Sequence, residues 1–294
     1  MLCSMTIHFD FPPAALTELA RLDAARALQE DVGAGDLTAG LIDPTRQVVA
    51  TVLAREAAVI CGAPWVEAAI LQLDGGVRVS WLVAEGQRCT ADQVVLTLEG
   101  SARALLTVER TVLNFLQLLS AVATKTADYV AAVQAVPGNR ARIVDTRKTL
   151  PGLRLAQKYA VCTGGGTNHR MGLYDAVLIK ENHIAAAGGV TAVLKRALEV
   201  APTAKFIEIE VETLAQLAEA LTAGATMVLL DNMDLPTLRE AVALNAGRAI
   251  LEVSGGVNMG TVRDIAATGV DRISIGALTK DVKAIDFSMR MQEL

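Results

Sequence analysis

"TMVLLDNMDLPTLREAVALNAGRAILEVSGG", residues 226–256, decides the fold. An apolar run ends at Asp231, an amphipathic stretch covers 234–245, and a second apolar run ends at Ser254 and two glycines. Short apolar runs of this kind read as strands covered on both faces, and a strand–helix–strand order makes the strands parallel. Working outward, the same texture recurs in "RIVDTRK" (142–148), "AVLIKEN" (176–182), "KFIEIEVE" (205–212) and "RISIG" (272–276). Helices are expected between them, over 190–200 and 213–223 as well as 234–245. In α/β barrels the chemistry collects at the C-terminal ends of the strands, where the loops converge. Arg147, Lys148, Lys180, Glu210, Asp231, Ser254 and Gly276 all stand at such ends. Polar endings on six successive runs favour one shared mouth. A closed eight-stranded barrel takes about 250 residues and roughly 150 are available here, so an incomplete barrel is expected.

The first third reads differently. An early helix from about Pro12 to Gln29 precedes "RQVVATVLAREAAVICG", "VRVSWLVAEGQRC" and "DQVVLTLEG", strand-rich segments separated by glycine-containing turns. From Ser101, a reasonable N-cap, to about Val133, apolar residues recur at helical spacing, giving one long helix or two abutting ones. Glu109 and Arg110 break its apolar surface. Either one turn faces water or Arg110 enters a site.

The chain of 294 residues is long enough for two cores, and with 52% hydrophobic but 3% aromatic residues they are aliphatic. A net charge of −5 argues against a nucleic-acid binder that relies on a broadly basic surface. The segment 140–180 is an exception: eight cations (Arg140, Arg142, Arg147, Lys148, Arg154, Lys158, Arg170, Lys180) face two acids, Asp145 and Asp175. Converging cations in an acidic protein suit a small polyanion; the bland reading, a solvated helix face, suits Arg140, Arg154 or Lys158 individually. Cys3, Cys61, Cys89 and Cys162 lie far apart without zinc spacing and read as reduced, mostly buried thiols. "MLCSMTIHFDFPP" lacks the features of a signal peptide and the greasiest stretch is broken by charge, so a cytoplasmic, non-membrane protein is expected.

"EVSGGV" (252–257) and "SIGALTK" (274–280) read as a phosphate cradle: glycines let backbone N–H groups approach an oxyanion and a following helix adds its dipole. The plainer alternative at Gly255 and Gly256 is a tight turn. Glu210 and Asp231 end neighbouring strands and suit ribose hydroxyls, a Mg²⁺ shell or acid–base work. Local pattern does not separate Glu210 from Glu212, and any of Glu208, Glu210 and Glu212 could face solvent. "TGGGTNHR" (163–170) reads as a flexible loop presenting His169 and Arg170, whereas His8 and His183 are discounted as lone histidines. Lys180 after "AVLI" keeps a Schiff-base aldolase open as a rival.

Taken in order, "EDVGAGDLT", "ERTVLNFLQ", "DTRKTLPGLRLAQKYAV", "GGGTNHRMGLYDAVLIKENH", "EIEVE", "LLDNM", "EVSGGV" and "ISIGALTK" resemble the quinolinate phosphoribosyltransferases across nearly the whole chain. Val253 stands where that motif commonly has alanine. The resemblance implies an N-terminal α/β sandwich (1–123, joined by the tail 285–294) and an open, about seven-stranded α/β barrel (124–284). It implies phosphoribosyl transfer from phosphoribosyl pyrophosphate (PRPP) to quinolinate with Mg²⁺, yielding nicotinate mononucleotide, pyrophosphate and carbon dioxide in NAD biosynthesis. The partners implied are these two substrates and a second copy in a homodimer, or a higher assembly built on it, with Arg110 donated across the interface; nucleic acid and membrane are not expected. Carried over residue by residue, Arg110, Thr146, Arg147, Lys148, His169, Arg170 and Lys180 would bind the anionic groups. Glu210 and Asp231 would orient the ribose and approach Mg²⁺ through water or PRPP. Ser254, Gly255, Gly256, Ser274 and Gly276 would take the 5′-phosphate, and Lys148, Lys180, Glu210 and Asp231 would stand closest to the chemistry. Rivals are a sister phosphoribosyltransferase of the same fold, an enzyme preferring nicotinate, and a phosphate sensor without turnover.

Overall fold

The computed structural model describes residues 10–293, so Cys3 and His8 lie outside it. The chain forms two compact units: residues 10–127 with 150–165 and 281 onward, and residues 128–149 with 166–280.

The first unit contains α1 (Pro13–Asp31), β1 (Gln47–Ala54), β2 (Ala58–Val59), α2 (Ala63–Leu73), β3 (Arg78–Trp81), β4 (Arg88–Cys89), β5 (Val94–Ser101) and most of α3 (Ala102–Gln134). It also takes α4 (Arg154–Thr163) and the final strand, which is β12 in chain order (Phe287–Glu293). Its antiparallel sheet runs β12–β1–β5–β3. Alternate residues of β1 point inward, Val48, Ala50, Val52 and Ala54 being buried, which is the period-two signature of a strand with one covered face. They share a core with Leu96 and Leu98 of β5 and Leu105, Val108, Val112 and Leu116 of α3. α3 is one continuous helix of 33 residues, long and apolar enough by composition to cross a membrane, yet its apolar stripe is spent on this core. Arg110 sits on its exposed side.

Residues 150–165, assigned to the barrel in the sequence reading, group with this unit. The reason is local packing: Tyr159 of α4 packs against Trp65 with the rings tilted by 50° and meets Phe11 edge-on, and Gly164 lies so close to the Ala123 carbonyl that a Cβ would fall 2.4 Å from it. Trp65 in turn donates its indole N–H to Asp23 on α1 at 2.9 Å, which satisfies a fully buried polar group. Lys158 of α4 is fully buried, so the solvated-face reading fails there; Arg140, by contrast, pairs with Asp271 at the surface. Cys61 and Cys89 are buried thiols and Cys162 is half-buried.

The second unit strings β6 (Arg142–Val144), β7 (Val177–Ile179), α5 (Glu181–Ala187), α6 (Val190–Val200), β8 (Ile207–Val211), α7 (Leu214–Thr222) and β9 (Met227–Asp231). α8 (Leu235–Asn245), β10 (Ile250–Ser254), α9 (Val262–Ala266), β11 (Arg272–Ser274) and α10 (Ala277–Lys280) complete it. All pairings in its six-stranded sheet are parallel, in the order β6–β11–β10–β9–β8–β7. A seventh position is a single bridge, Thr167 beside Val144. That segment cannot lengthen into a strand because Asp145 holds its next two residues, accepting from the Asn168 amide and the His169 N–H. Among the described residues no pairing joins β7 back to this edge, so the sheet stays open. The helices start where side chains can cap them: Thr213 and Gln216 form a capping box for α7, and Asp234 accepts the Thr237 N–H of α8. Parallel register sets Asp231 against Ser254 and Ser274 against Val144, so the strand ends finish at a common edge.

Candidate active site

A cleft of about 260 Å³ opens at that edge. Its wall carries Thr146, Arg147 and Lys148 after β6, His169 and Arg170, Lys180 after β7, Glu210 of β8, and Glu252 and Ser254 of β10, with Ser274 of β11 and apolar Leu178 and Leu229. Short strands place these groups together because each loop leaves its strand at the same level.

Arg147 is the most informative of them. Its buried Nε meets no acceptor among the described residues. Beside it, the buried Arg170 donates from Nη1 to the Ala176 carbonyl at 3.2 Å. Burial first, and the charge of Arg147 second, push the Arg170 guanidinium pKa down, with Asp175 and Glu208 opposing. Two neighbouring guanidiniums with an unspent donor form a receptor for an anion that can accept forked hydrogen bonds.

Across the cleft Lys180 Nζ lies 3.2 Å from Glu210 Oε2. Burial raises the Glu210 carboxyl pKa; Lys180 draws it back and Asp231 adds repulsion. Asp231 accepts from the Asn232 amide at 2.8 Å. Glu212, the alternative to Glu210, is exposed and absent from the wall.

The glycine loops adopt conformations and contacts that a side chain would disturb. Gly255 and Gly256 have φ of 94° and 62°, and a Cβ on Gly255 would stand 2.0 Å from Asn232 Oδ1. At Gly276 a Cβ would come within 3.0 Å of the Lys148 side chain and 3.6 Å of Thr146 Oγ1. These three glycines and Asp231 border the cleft without lining it. The expected helix dipole behind the first loop is missing: α9 does not begin until Val262 and has five residues. Only α10 starts directly after Gly276, as a single turn.

Beneath the cleft lies a network that the sequence reading missed. Asn168, His169 and Arg170 are buried; Asp145 holds the first two, and the Arg170 N–H donates to His169 Nδ1 at 2.8 Å, so this segment is no flexible loop. His169 Nε2 meets Glu208 Oε2 at 2.8 Å and Glu252 Oε1 at 3.6 Å, and Arg272 Nε donates to Glu252 Oε2 at 2.7 Å. Glu208 is fully buried, against the solvent-facing alternative. Burial draws His169 toward its neutral form, but Glu252 and Glu208 outweigh it and the net direction is upward. Burial, then Glu252, pushes the Glu208 carboxyl up; Glu252 goes down, despite its burial, under His169 and Arg272. A signal was present in the letters: in "IEIEV" the period-two pleat puts Glu208 on the same face as Glu210, and Glu252 interrupts an apolar run. Arg110 belongs to the other unit and is not among the lining residues; His183, discounted from sequence, accepts the Lys180 N–H at the start of α5.

The fold has counterparts among known proteins. Residues 36–120 match the family described as quinolinate phosphoribosyl transferase, N-terminal domain, and residues 122–290 its C-terminal domain. The chain is 43% identical over 282 residues to the nicotinate-nucleotide pyrophosphorylase (carboxylating) of Mycobacterium leprae, covering 92% of this chain and 97% of that protein. It is 40% identical over 260 residues to the probable nicotinate-nucleotide pyrophosphorylase (carboxylating) of Bacillus subtilis, covering 88% and 89%. The solved structure of the nicotinate-nucleotide pyrophosphorylase from Francisella tularensis superposes with a TM-score of 0.90 at 40% identity, covering 96% of this chain and 98% of that one. With both domain signatures in sequence, and a cationic cleft at the strand ends of an open parallel sheet, the chain belongs to the quinolinate phosphoribosyl transferase family.

Proposed function

We propose that this protein transfers the phosphoribosyl group of PRPP to quinolinate and releases pyrophosphate and carbon dioxide, giving nicotinate mononucleotide for NAD synthesis. The observation that carries the reading is the unspent Arg147 Nε beside Arg170 in a cleft that also holds Lys148 and Lys180. Quinolinate brings two carboxylates and PRPP a 5′-phosphate and a pyrophosphate, so four cations have four anionic groups to receive. The relatives' names supply the substrate class.

In this reading the arginines hold quinolinate with its ring nitrogen toward C1 of the ribose, and alignment of two substrates supplies much of the acceleration. As the C1–O bond to pyrophosphate lengthens, positive charge develops on the ribose, and Glu210 and Asp231 face it. The nitrogen lone pair forms the new bond to C1. The pyridinium ring then takes up the electron pair left when the adjacent carboxylate departs as carbon dioxide, and a proton fills that carbon. Glu210 and Asp231, two carboxylates close enough to repel, suit the neighbourhood of Mg²⁺, reached through water or through PRPP. When bound, Mg²⁺ would neutralise charge on the leaving pyrophosphate. Gly255, Gly256, Gly276, Ser254 and Ser274 serve the 5′-phosphate through backbone N–H and hydroxyl groups. The Schiff-base alternative is disfavoured because the Lys180 side chain is 47% exposed and paired with Glu210, whereas such a nucleophile is better desolvated.

The reading includes a cytoplasmic homodimer in which Arg110, exposed on α3, reaches the neighbouring chain's cleft. The deciding assay supplies PRPP and Mg²⁺ with labelled quinolinate or with nicotinate. Carbon dioxide is expected from quinolinate and little nucleotide from nicotinate; equal use of both would defeat the assignment.

A further inference from the structure

We propose that Asn232 couples the two halves of the phosphoribosyl subsite: one side chain ties the ribose-facing carboxylate of Asp231 to the glycine loop that follows β10. Asn232 acts through its neighbours and is a positioning residue. The ligand rests on the function proposed above; the coupling rests on geometry alone.

Asn232 is the first residue beyond β9, and its φ of 53° lies in the left-handed region. Among the described non-glycine residues only Asp92 and Ala246 share that sign; Asp92 precedes β5 and Ala246 ends α8, which leaves Asn232 as the one at the C-terminal end of a strand. Asparagine tolerates this region better than most residues, and backbone held there collects at functional sites.

Three contacts leave from this turn. The Asn232 N–H donates to the Ser254 carbonyl at 3.1 Å, one step beyond the register that sets Asp231 beside Ser254. The side-chain amide donates from Nδ2 to Asp231 Oδ2 at 2.8 Å. A carboxylate only accepts, so the amide nitrogen must face it, and Oδ1 is left for the side of Gly255. There it takes the space of a side chain: a Cβ on Gly255 would meet Asn232 Oδ1 at 2.0 Å, Cγ at 2.8 Å and the backbone nitrogen at 3.1 Å. Turning the amide away would relieve the first two contacts, keep the third and break the bond to Asp231.

The consequence is a shared reference point. Asp231 is fixed through one oxygen and keeps the other for a ribose hydroxyl or the neighbourhood of Mg²⁺, while Gly255 is held where its N–H can serve the 5′-phosphate. Both ends of the ribose phosphate are thereby set by one side chain, and the arginines assigned to quinolinate are not. Asn232 is exposed and water competes for its hydrogen bond, so the effect falls on alignment more than on fold stability.

Kinetics and unfolding test this. Asn232→Gly keeps the left-handed turn and the backbone bond to Ser254 but removes the amide, so KM for PRPP should rise about tenfold while KM for quinolinate moves less than about twofold. Asn232→Asp keeps shape and turn but offers Asp231 no donor, and should raise KM for PRPP at least as much. A PRPP KM within about twofold of wild type in either variant, or an equal rise for both substrates, overturns the inference. The second test needs no substrate: urea unfolding of Asn232→Gly, Gly255→Ala and the double variant. The strain of an alanine at a φ of 94° is present in both backgrounds and cancels, so what remains is its encounter with the Asn232 side chain. The fall in urea midpoint caused by Gly255→Ala should shrink by about half or more in the Asn232→Gly background; equal falls in both backgrounds overturn the coupling. A protein that never acts on PRPP would sink the function proposed above and the ligand with it, while the urea cycle still decides the coupling.

Discussion

Arg147 and Arg170 show how much a single donor can say. A buried guanidinium N–H without an acceptor costs about 1–3 kcal/mol, and a site that tolerates this is built for a ligand that repays it. Arg147→Lys keeps the charge and loses the planar fork, so kcat/KM for quinolinate should fall by about tenfold or more, read from steady-state rates. Retention of wild-type kcat/KM would show that charge alone suffices. Glu210 gives a pH prediction. Its carboxyl, raised by burial, keeps a proton to higher pH than a free glutamate does. As pH falls, the anionic form that pairs with Lys180 is therefore lost early, and the acid limb of the pH–rate profile should lie above the ordinary glutamate range. Glu210→Gln should abolish that limb along with most of the rate; a limb unmoved in the variant's residual activity would assign it to another group.

At the scale of elements, caps and turns govern. The Thr213 hydroxyl accepts the Gln216 N–H while the Gln216 side chain accepts the Thr213 N–H, closing both ends of the capping box. Thr213→Ala should cost about 1 kcal/mol in urea unfolding with little change in kcat, because α7 packs behind the strands and contributes no residue to the cleft wall. Gly255→Ala should act on function instead. Its φ of 94° and its 2.0 Å approach to Asn232 Oδ1 force either the loop or Asn232 to move, and Asn232 holds Asp231. KM for PRPP should rise by about tenfold or more, read by varying PRPP at saturating quinolinate. These elements were legible in the letters. Strand–helix alternation, the helix over 190–200 and the glycine turns are short-range patterns, and short-range patterns survive in a linear reading. The capping roles of Thr213 and Asp234 displaced the expected helix starts by one residue, the usual fate of a boundary.

For the whole molecule, the proposed dimer makes a prediction that no single chain can. If Arg110 crosses the interface, Arg110→Ala chains mixed with Arg147→Ala chains regain one complete site per heterodimer, about a quarter of wild-type activity after free exchange. No recovery in verified heterodimers would return Arg110 to its own chain or exclude it from the site. The sequence by itself determined the alternating architecture, the polar strand endings and the family, because all three are written in local order and spacing. Only the tertiary structure decided which acids face inward, that the stretch around His169 is buried, and that residues 150–165 pack on the first unit. Burial and pairing arise between residues far apart in the chain: Glu208 lies 39 residues from His169, and Arg272 lies 20 from Glu252. A carboxylate looks the same in sequence whether water or an imidazole neutralises it, and only folding chooses between them.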